Sequence, residues 1–351
     1  MICIAWSGFP QYAARCVGAF VRSTDEKVVV VATKPLVPIK GMEKYCGCDI
    51  KWIADDDRID IRELLGEIPC AILVGGWGIV AFNHLRDQVR AAGGRVLVGV
   101  DNNYQFSFKE IVKAIRFRLK LRKYYDGYFV AGKSGAKLLR FYGVPAGRIQ
   151  VGMYSADASL FKSTVPICER PKRMIYVGQI CERKNIRRLV AAFMSVSPRF
   201  PDWSLDLYGS GPLTDEINQA IKQSQNLNIH LHPFAQPEEL ASLYAHSRVF
   251  VLPSLEEHWG LVVHEAALSG CVLLTSRQVG AADDFVTSEN GRSFDAFDQR
   301  SLEHAMAEVL AFTDEQFRRA GEVSVQQSAN ASLSQFVNGL TKLLNCCPLD
   351  K

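Results

Sequence analysis

No run of apolar residues in this sequence approaches the roughly eighteen that a membrane-spanning helix requires. The opening residues, "MICIAWSGFPQYAARC", lack the basic region and small-residue cleavage site of a secretory signal. A cytoplasmic chain is therefore expected. There is no short internal repeat and no low-complexity segment, which excludes a repeat architecture. Zinc-finger spacing is missing as well. The ten cysteines are scattered, and the close pairs Cys46-Gly-Cys48 and Cys346-Cys347 have no second pair to complete a metal site. Reduced, buried thiols are the expectation, Cys3, Cys70 and Cys271 lying in apolar runs. No metal ligand is assigned.

What is present describes a globular chain of two domains. At 351 residues, 48% of them apolar and 22% charged, it exceeds one ordinary core. The net charge of +4 hides an asymmetry. Residues 1–162 carry 24 Lys and Arg against 15 Asp and Glu, whereas residues 163–351 carry 17 against 22. A first part at +9 and a second at −5 suggest domains with different partners.

Short β-branched runs read as strands at residues 2–6, 27–33, 70–76, 95–100 and 127–132, with helical stretches such as 83–93 and 108–124 between some of them. The polar, proline-bearing segment 163–173 reads as a linker. The pattern then restarts with strands at 173–180, 203–211, 227–235, 248–254 and 271–276. Helices are expected near 185–200, 214–224, 237–246, 260–269 and 301–311. Nearly continuous apolar strands alternating with helices imply an α/β fold of two doubly wound parallel sheets, with a cleft between the domains.

In such sheets ligands bind beyond the carboxyl ends of the strands. Three loops of the second half stand there. "VGQICERKN" supplies Arg183 and Lys184, "LYGSGPL" is a glycine turn, and "LPSLEEHWGLVVHEAALSG" ends a strand and starts a helix near Gly260. A helix start and two cations suit a diphosphate. Glu265, inside an apolar helix, needs a partner, and the vicinal hydroxyls of a ribose match its two oxygens. Glu257 is placed to meet hydroxyls of a sugar beyond the phosphates. Glu256 reads as a solvated loop residue, His264 as a packed histidine, and Asp284 as a cap.

The same residues carry a family resemblance. "PSLEEHWGLVVHEAALSG" resembles the motif of family 4 retaining glycosyltransferases, its paired glutamates being Glu257 and Glu265. "YVGQICERKNIRRLVAAF", "LYGSGPL", "VGAADDFVTSENGRSF" and the run from "YYDGYFVAGKSG" to Asp157 and Phe161 are similar to further segments of that family, in the same order. The resemblance implies a GT-B fold with an acceptor-binding domain at 1–162, a donor-binding domain at 174–332 and a C-terminal helix in 333–351 crossing back to the first domain. It implies transfer of a hexose-type sugar from a nucleoside-diphosphate sugar to a glycan or lipid-linked acceptor, in polysaccharide or glycoconjugate synthesis. Retention of configuration is implied too, with no metal and no cofactor beyond the substrate.

Residue by residue, the resemblance gives Lys184 and Arg183 to the diphosphate, Glu265 to the ribose and Glu257 to the donor sugar. Amides around Trp259, Gly260 and Leu261 face the phosphate or sugar, and Pro233–Phe234 faces the base. Gly178, Gln179, Gly209 and His258 line the donor, and Gly8 meets the diphosphate from the first domain. Asp101 and Asn102 stand on the acceptor side. Gln179 occupies a position where the family has Arg, and His258 replaces a Gly. Two other readings stay open: a nucleotide-sugar-binding partner without turnover, and a GT-B-fold epimerase or phosphorylase.

Residues 108–123 hold seven cations, Lys109, Lys113, Arg116, Arg118, Lys120, Arg122 and Lys123, interleaved with apolar residues. This reads as a peripheral inner-membrane contact or as a solvated helix face. No nucleic-acid motif accompanies the charge, so nucleic acid is not an expected partner.

Overall fold

A computed structural model describes residues 1–35, 40–105, 107–224 and 226–345. Cys346-Cys347 and the rest of the C-terminal segment lie outside them. The chain divides into unit 1, residues 1–155 with 331–351, and unit 2, residues 156–330.

Among the described residues, unit 1 holds β1 (Ile2–Trp6), β2 (Val28–Ala32), β3 (Ile50–Trp52), β4 (Ala71–Gly75), β5 (Arg95–Val100), β6 (Gly127–Val130) and β7 (Ile149–Val151). They form one parallel sheet in the order β3-β2-β1-β4-β5-β6-β7. Val28–Ala32 is buried at every position, as a strand covered on both faces must be. The helix Leu333–Asn345 belongs to this unit. Phe336 packs its ring 5.2 Å from that of Phe129, and the Leu343 carbonyl accepts a 2.9 Å bond from Arg95.

Unit 2 holds β8 (Arg173–Val177), β9 (Ser204–Tyr208), β10 (Ile229–His232), β11 (Val249–Leu252), β12 (Val272–Ser276) and β13 (Gly291–Phe294). Its parallel sheet runs β10-β9-β8-β11-β12-β13. Each sheet thus begins at a central strand, runs outward one way and then the other, as in the Rossmann order. The strand order reverses between β1 and β4 in unit 1 and between β8 and β11 in unit 2. Crevices at those points are the ligand positions of the fold.

Several details differ from the sequence expectation. The edge strands β3, β7 and β13 have only three or four residues each, too few to show a pattern. The basic helix is α-helical over Phe108–Arg116 and π-helical over Phe117–Leu121. The segment 163–173 is part of unit 2, where the buried Arg170 donates to the carbonyls of Ser247 and Ser269 at 3.1 and 2.8 Å. Cys70 is exposed, because it precedes β4 instead of lying within it. No helix among the described residues is long and apolar enough to cross a membrane.

Two glycines bring the loops after β8 and β9 into backbone contact. Gly209 has φ +152°, and a Cβ there would lie 1.8 Å from the Gly178 carbonyl oxygen. The amide of Ile180 donates to Ser210, and that of Leu213 to Ile180, both at 3.0 Å. Gly209→Ala is therefore expected to destabilise by more than about 2 kcal/mol, read as a lowered thermal midpoint. Gly147→Ala, where a Cβ meets nothing within 4 Å, is the control and should leave the midpoint within error.

Candidate functional site

The loop after β8 turns into a short 3-10 segment, Glu182–Lys184, and ends at Asn185. Asn185 is the one non-glycine residue with positive φ (60°) among the described residues. Its buried amide donates to the carbonyls of Pro253 and Ala296 at 3.2 and 3.0 Å, which stabilises the unusual backbone. Asparagine tolerates this left-handed conformation better than most residues. The turn sends the Lys184 side chain inward, where the residue is only 7% exposed.

A buried ammonium needs an anion, and the loop after β11 supplies it. Lys184 Nζ donates to Glu257 Oε2. The same oxygen receives Ser254 Oγ at 3.1 Å and Arg183 at 3.4 Å. Arg183 also donates to the Glu256 carbonyl at 2.8 Å, and the Leu255 amide donates to the Arg183 carbonyl at 2.8 Å. Burial raises the cost of charge on Glu257, but Lys184 and Arg183 outweigh it and hold the carboxyl below the usual range. The loop is fastened on its far side where Gly280 N–H donates to the Glu257 carbonyl (3.1 Å) and Ala281 N–H to that of Trp259 (2.8 Å).

Gly260, at φ 88°, then starts the helix Leu261–Leu268. A Cβ on Gly260 would stand 3.2 Å from Glu257 Cγ, so the glycine serves both the turn and the close approach. The Val263 amide closes the first turn on the Gly260 carbonyl at 2.9 Å, and the start of this helix carries the positive end of its dipole. Trp259 is 4% exposed, and its buried indole nitrogen has no hydrogen-bond partner among the described residues.

Glu265 lies on the second turn of that helix, 8% exposed. Among the described residues no cation pairs with it. The Tyr244 hydroxyl donates to Oε2 at 3.1 Å, and burial pushes the carboxyl up to about 7. His264 is packed: Nδ1 accepts from the Ala156 amide, Nε2 meets the Ser328 carbonyl, both at 3.0 Å, and its ring stacks on Phe285 at 4.7 Å. Burial lowers it to about 4, which fixes the neutral ring.

The structure therefore brings Lys184, Arg183 and Glu257 together, with Gly260 against Glu257. Gly178 and Gly209 lie at the ends of β8 and β9, and Gln179, exposed, follows Gly178. Pro233 and Phe234 follow β10, where His232 stacks on Tyr208 at 4.4 Å. His258 is partly exposed, 3.9 Å from Glu256. Three residues of this neighbourhood were given no role from sequence: Asn185 and Ser254, which stand inside the quoted loops, and Tyr244, which stands outside them. Tyr244 is 21 residues from Glu265, beyond any local pattern.

In unit 1, Gly8 has φ +57° and donates its amide to Thr33 Oγ1 at 2.9 Å. A cavity of about 240 Å³ lies at the strand ends, lined by Trp6, Ser7, Gly75, Gly99, Asp101 and Tyr154 among others. The Tyr154 hydroxyl donates to Asp101 at 3.3 Å, so Asp101 is an oriented acceptor. Asn102 follows it at the end of β5. Among the described residues no group of three or more His, Cys, Asp or Glu is placed to hold a metal.

The raised Glu265 has a measurable consequence. A folded-state value above the unfolded one means stability is fully present below the unfolded value, near 4.5, and is lost as pH rises through about 7. The loss is on the order of 3 kcal/mol at most. Glu265→Gln keeps an acceptor for Tyr244 and abolishes the charge. It should raise the thermal midpoint strongly at pH 8 and only slightly at pH 5. An equal shift at both values would show that Glu265 does not titrate as described.

Known proteins resemble this chain in two ways. Residues 159–322 match the family of glycosyl transferases group 1. Glycogen synthase of Mycobacterium tuberculosis is 30% identical over 141 residues, 40% of this chain and 34% of the relative. D-inositol 3-phosphate glycosyltransferase of Corynebacterium efficiens is 26% identical over 226 residues, 59% and 53% of the two chains. The chain thus spans about a third to a half of these relatives. The solved HepE of Anabaena, in complex with UDP and glucose, superposes with a TM-score of 0.74 over 98% of this chain and 99% of that one, at 13% identity. The fold is that of GT-B proteins, two Rossmann-like units, and its residues 159–322 match glycosyl transferases group 1.

Proposed function

We propose that this chain is a retaining glycosyltransferase of family 4 type, moving a hexose-type sugar from a nucleoside-diphosphate sugar to a glycan or lipid-linked acceptor. The observation that carries the reading is the buried Lys184 with Arg183 beside it, held by Glu257 at the switch point of unit 2. The match of residues 159–322 to glycosyl transferases group 1 supports it.

Lys184 has three donors, and Glu257 occupies one. The remaining two, with Arg183 and the amides of Gly260 and Leu261, are assigned to the diphosphate. Charge grows on that group as the glycosidic bond breaks, and pre-placed cations stabilise it without reorganising. Glu257 keeps Lys184 ionised and in position, and also meets the donor sugar with His258 and Trp259. Glu265 takes the ribose hydroxyls, whose donation favours its charged form. Pro233–Phe234 faces the base; Gly178, Gln179 and Gly209 line the diphosphate. In unit 1, Gly8 is assigned to the donor, and Asp101 with Asn102 to a hydroxyl-bearing acceptor. Two cations at the leaving group supply what a metal would, so the transfer is proposed to need none.

Release of nucleoside diphosphate from a panel of nucleotide sugars, with and without acceptor, is the test. Acceptor-dependent release that survives chelation of metals is expected. Binding without release would favour the non-catalytic reading, and sugar conversion without release an epimerase. Lys184→Ala should lower kcat by about 10²- to 10³-fold, the scale of removing a preorganised charge donor. Nucleotide binding should release a proton near pH 7 in the native chain but not in Glu265→Gln, read as a buffer-dependent enthalpy. An identical buffer dependence in both would remove the ribose role of Glu265.

A further inference from the structure

The helix Phe108–Arg116, with the turn Phe117–Leu121 that continues it, buries only a narrow side: Glu110, Ala114 and Phe117. Its outer side is apolar and open. Phe108 is 85% exposed, Val112 67%, Ile115 52% and Leu119 74%. Their spacing of four, three and four residues aligns them in one stripe opposite the buried side. Ten large hydrophobics are exposed among the described residues, and five of them, Ile111 included, lie on this segment. Single exposed apolar residues are ordinary on any surface, whereas a concentrated stripe marks a contact.

The charge around the stripe has one sign. Lys109, Lys113, Arg116, Arg118 and Lys120 are all exposed, and Arg122 and Lys123 follow. The single acid of residues 108–123, Glu110, faces inward, where it accepts from the Tyr142 hydroxyl and pairs with Lys113 at 3.1 Å. A second copy of this chain would bring the same cations against these, at an unfavourable electrostatic cost. An anionic surface that accepts apolar side chains fits both features.

We propose that this segment docks the chain on an anionic lipid bilayer. Phe108, Val112, Ile115 and Leu119 enter the boundary between headgroups and acyl chains, and the Lys and Arg side chains reach the lipid phosphates along their own apolar stems. The docking is a property of unit 1 and does not rest on sugar transfer.

Co-sedimentation of the full chain with vesicles tests it, without nucleotide. Vesicles of phosphatidylcholine containing phosphatidylglycerol should bind at least tenfold better than phosphatidylcholine alone, and added salt should weaken the binding. Lys109→Gln with Lys120→Gln should lower the partition about thirtyfold, at roughly fivefold per cation. Val112→Gln with Leu119→Gln should abolish it. All four positions are exposed, so an unchanged thermal midpoint verifies the fold of each variant. Equal binding to both vesicle types, no binding to either, or wild-type binding by the stripe variant would overturn the proposal. Concentration-dependent dimers lost in the stripe variant, without lipid binding, would assign the face to a second copy instead.

Discussion

The pairing of buried Lys184 with Glu257 is the constraint on which the candidate site of unit 2 depends. An ammonium only 7% exposed stays charged in such a place only beside an anion with good geometry. Glu257 comes from a loop 73 residues downstream, so the pair requires the loops after β8 and β11 to stay together. The Leu255 amide on the Arg183 carbonyl and the Asn185 amide on the Pro253 carbonyl do this with backbone partners. Ser276 Oγ ties the end of β12 in through the Ser254 carbonyl at 2.6 Å. Cations presented by loops cross-linked in this way are preorganised, and such preorganisation is what makes them useful to a leaving group.

Glu265 follows the opposite strategy. Glu257 and Glu265 stand eight residues apart, one held low by cations and the other pushed up to about 7 by burial. Two carboxyls whose environments push them in opposite directions have different tasks. Glu257 belongs to the permanent charge of the site. Glu265 is ionised only at a cost to the ligand-free fold, the cost that the proposed ribose contact would relieve. A residue that destabilises the empty protein is common where binding requires it.

Much of this was legible in the sequence. The central strands announced themselves as apolar runs, and the glycine-ended β8 and β9 pointed to Lys184 and Gly209. The edge strand β3, Ile50-Lys51-Trp52, is partly exposed throughout and has no run to read. β13 is anchored by Gly291, where a Cβ would fall 2.0 Å from the Leu273 carbonyl; that closeness is a property of the sheet and not of local sequence. Lys184 and Glu257 each stood out by position, but their mutual bond did not, because it joins residues far apart in the chain. For Glu265 the sequence offered no partner within the chain. The structure adds the Tyr244 hydroxyl, donated from the helix Pro237–Ala245.

The charge asymmetry of the chain also acquires a location. Residues 108–123 hold seven cations against one acid, so they account for +6 of the +9 carried by residues 1–162. The rest of that region is close to balanced. A domain whose whole surface was basic would attract any polyanion at long range and with little orientation. Charge confined to one helix, beside an apolar stripe, acts within about a Debye length of a flat anionic surface and sets an orientation as it binds. The asymmetry between the two parts of the chain is therefore mostly the property of one helix, and the proposed docking on a lipid surface would use both its charge and its apolar neighbours.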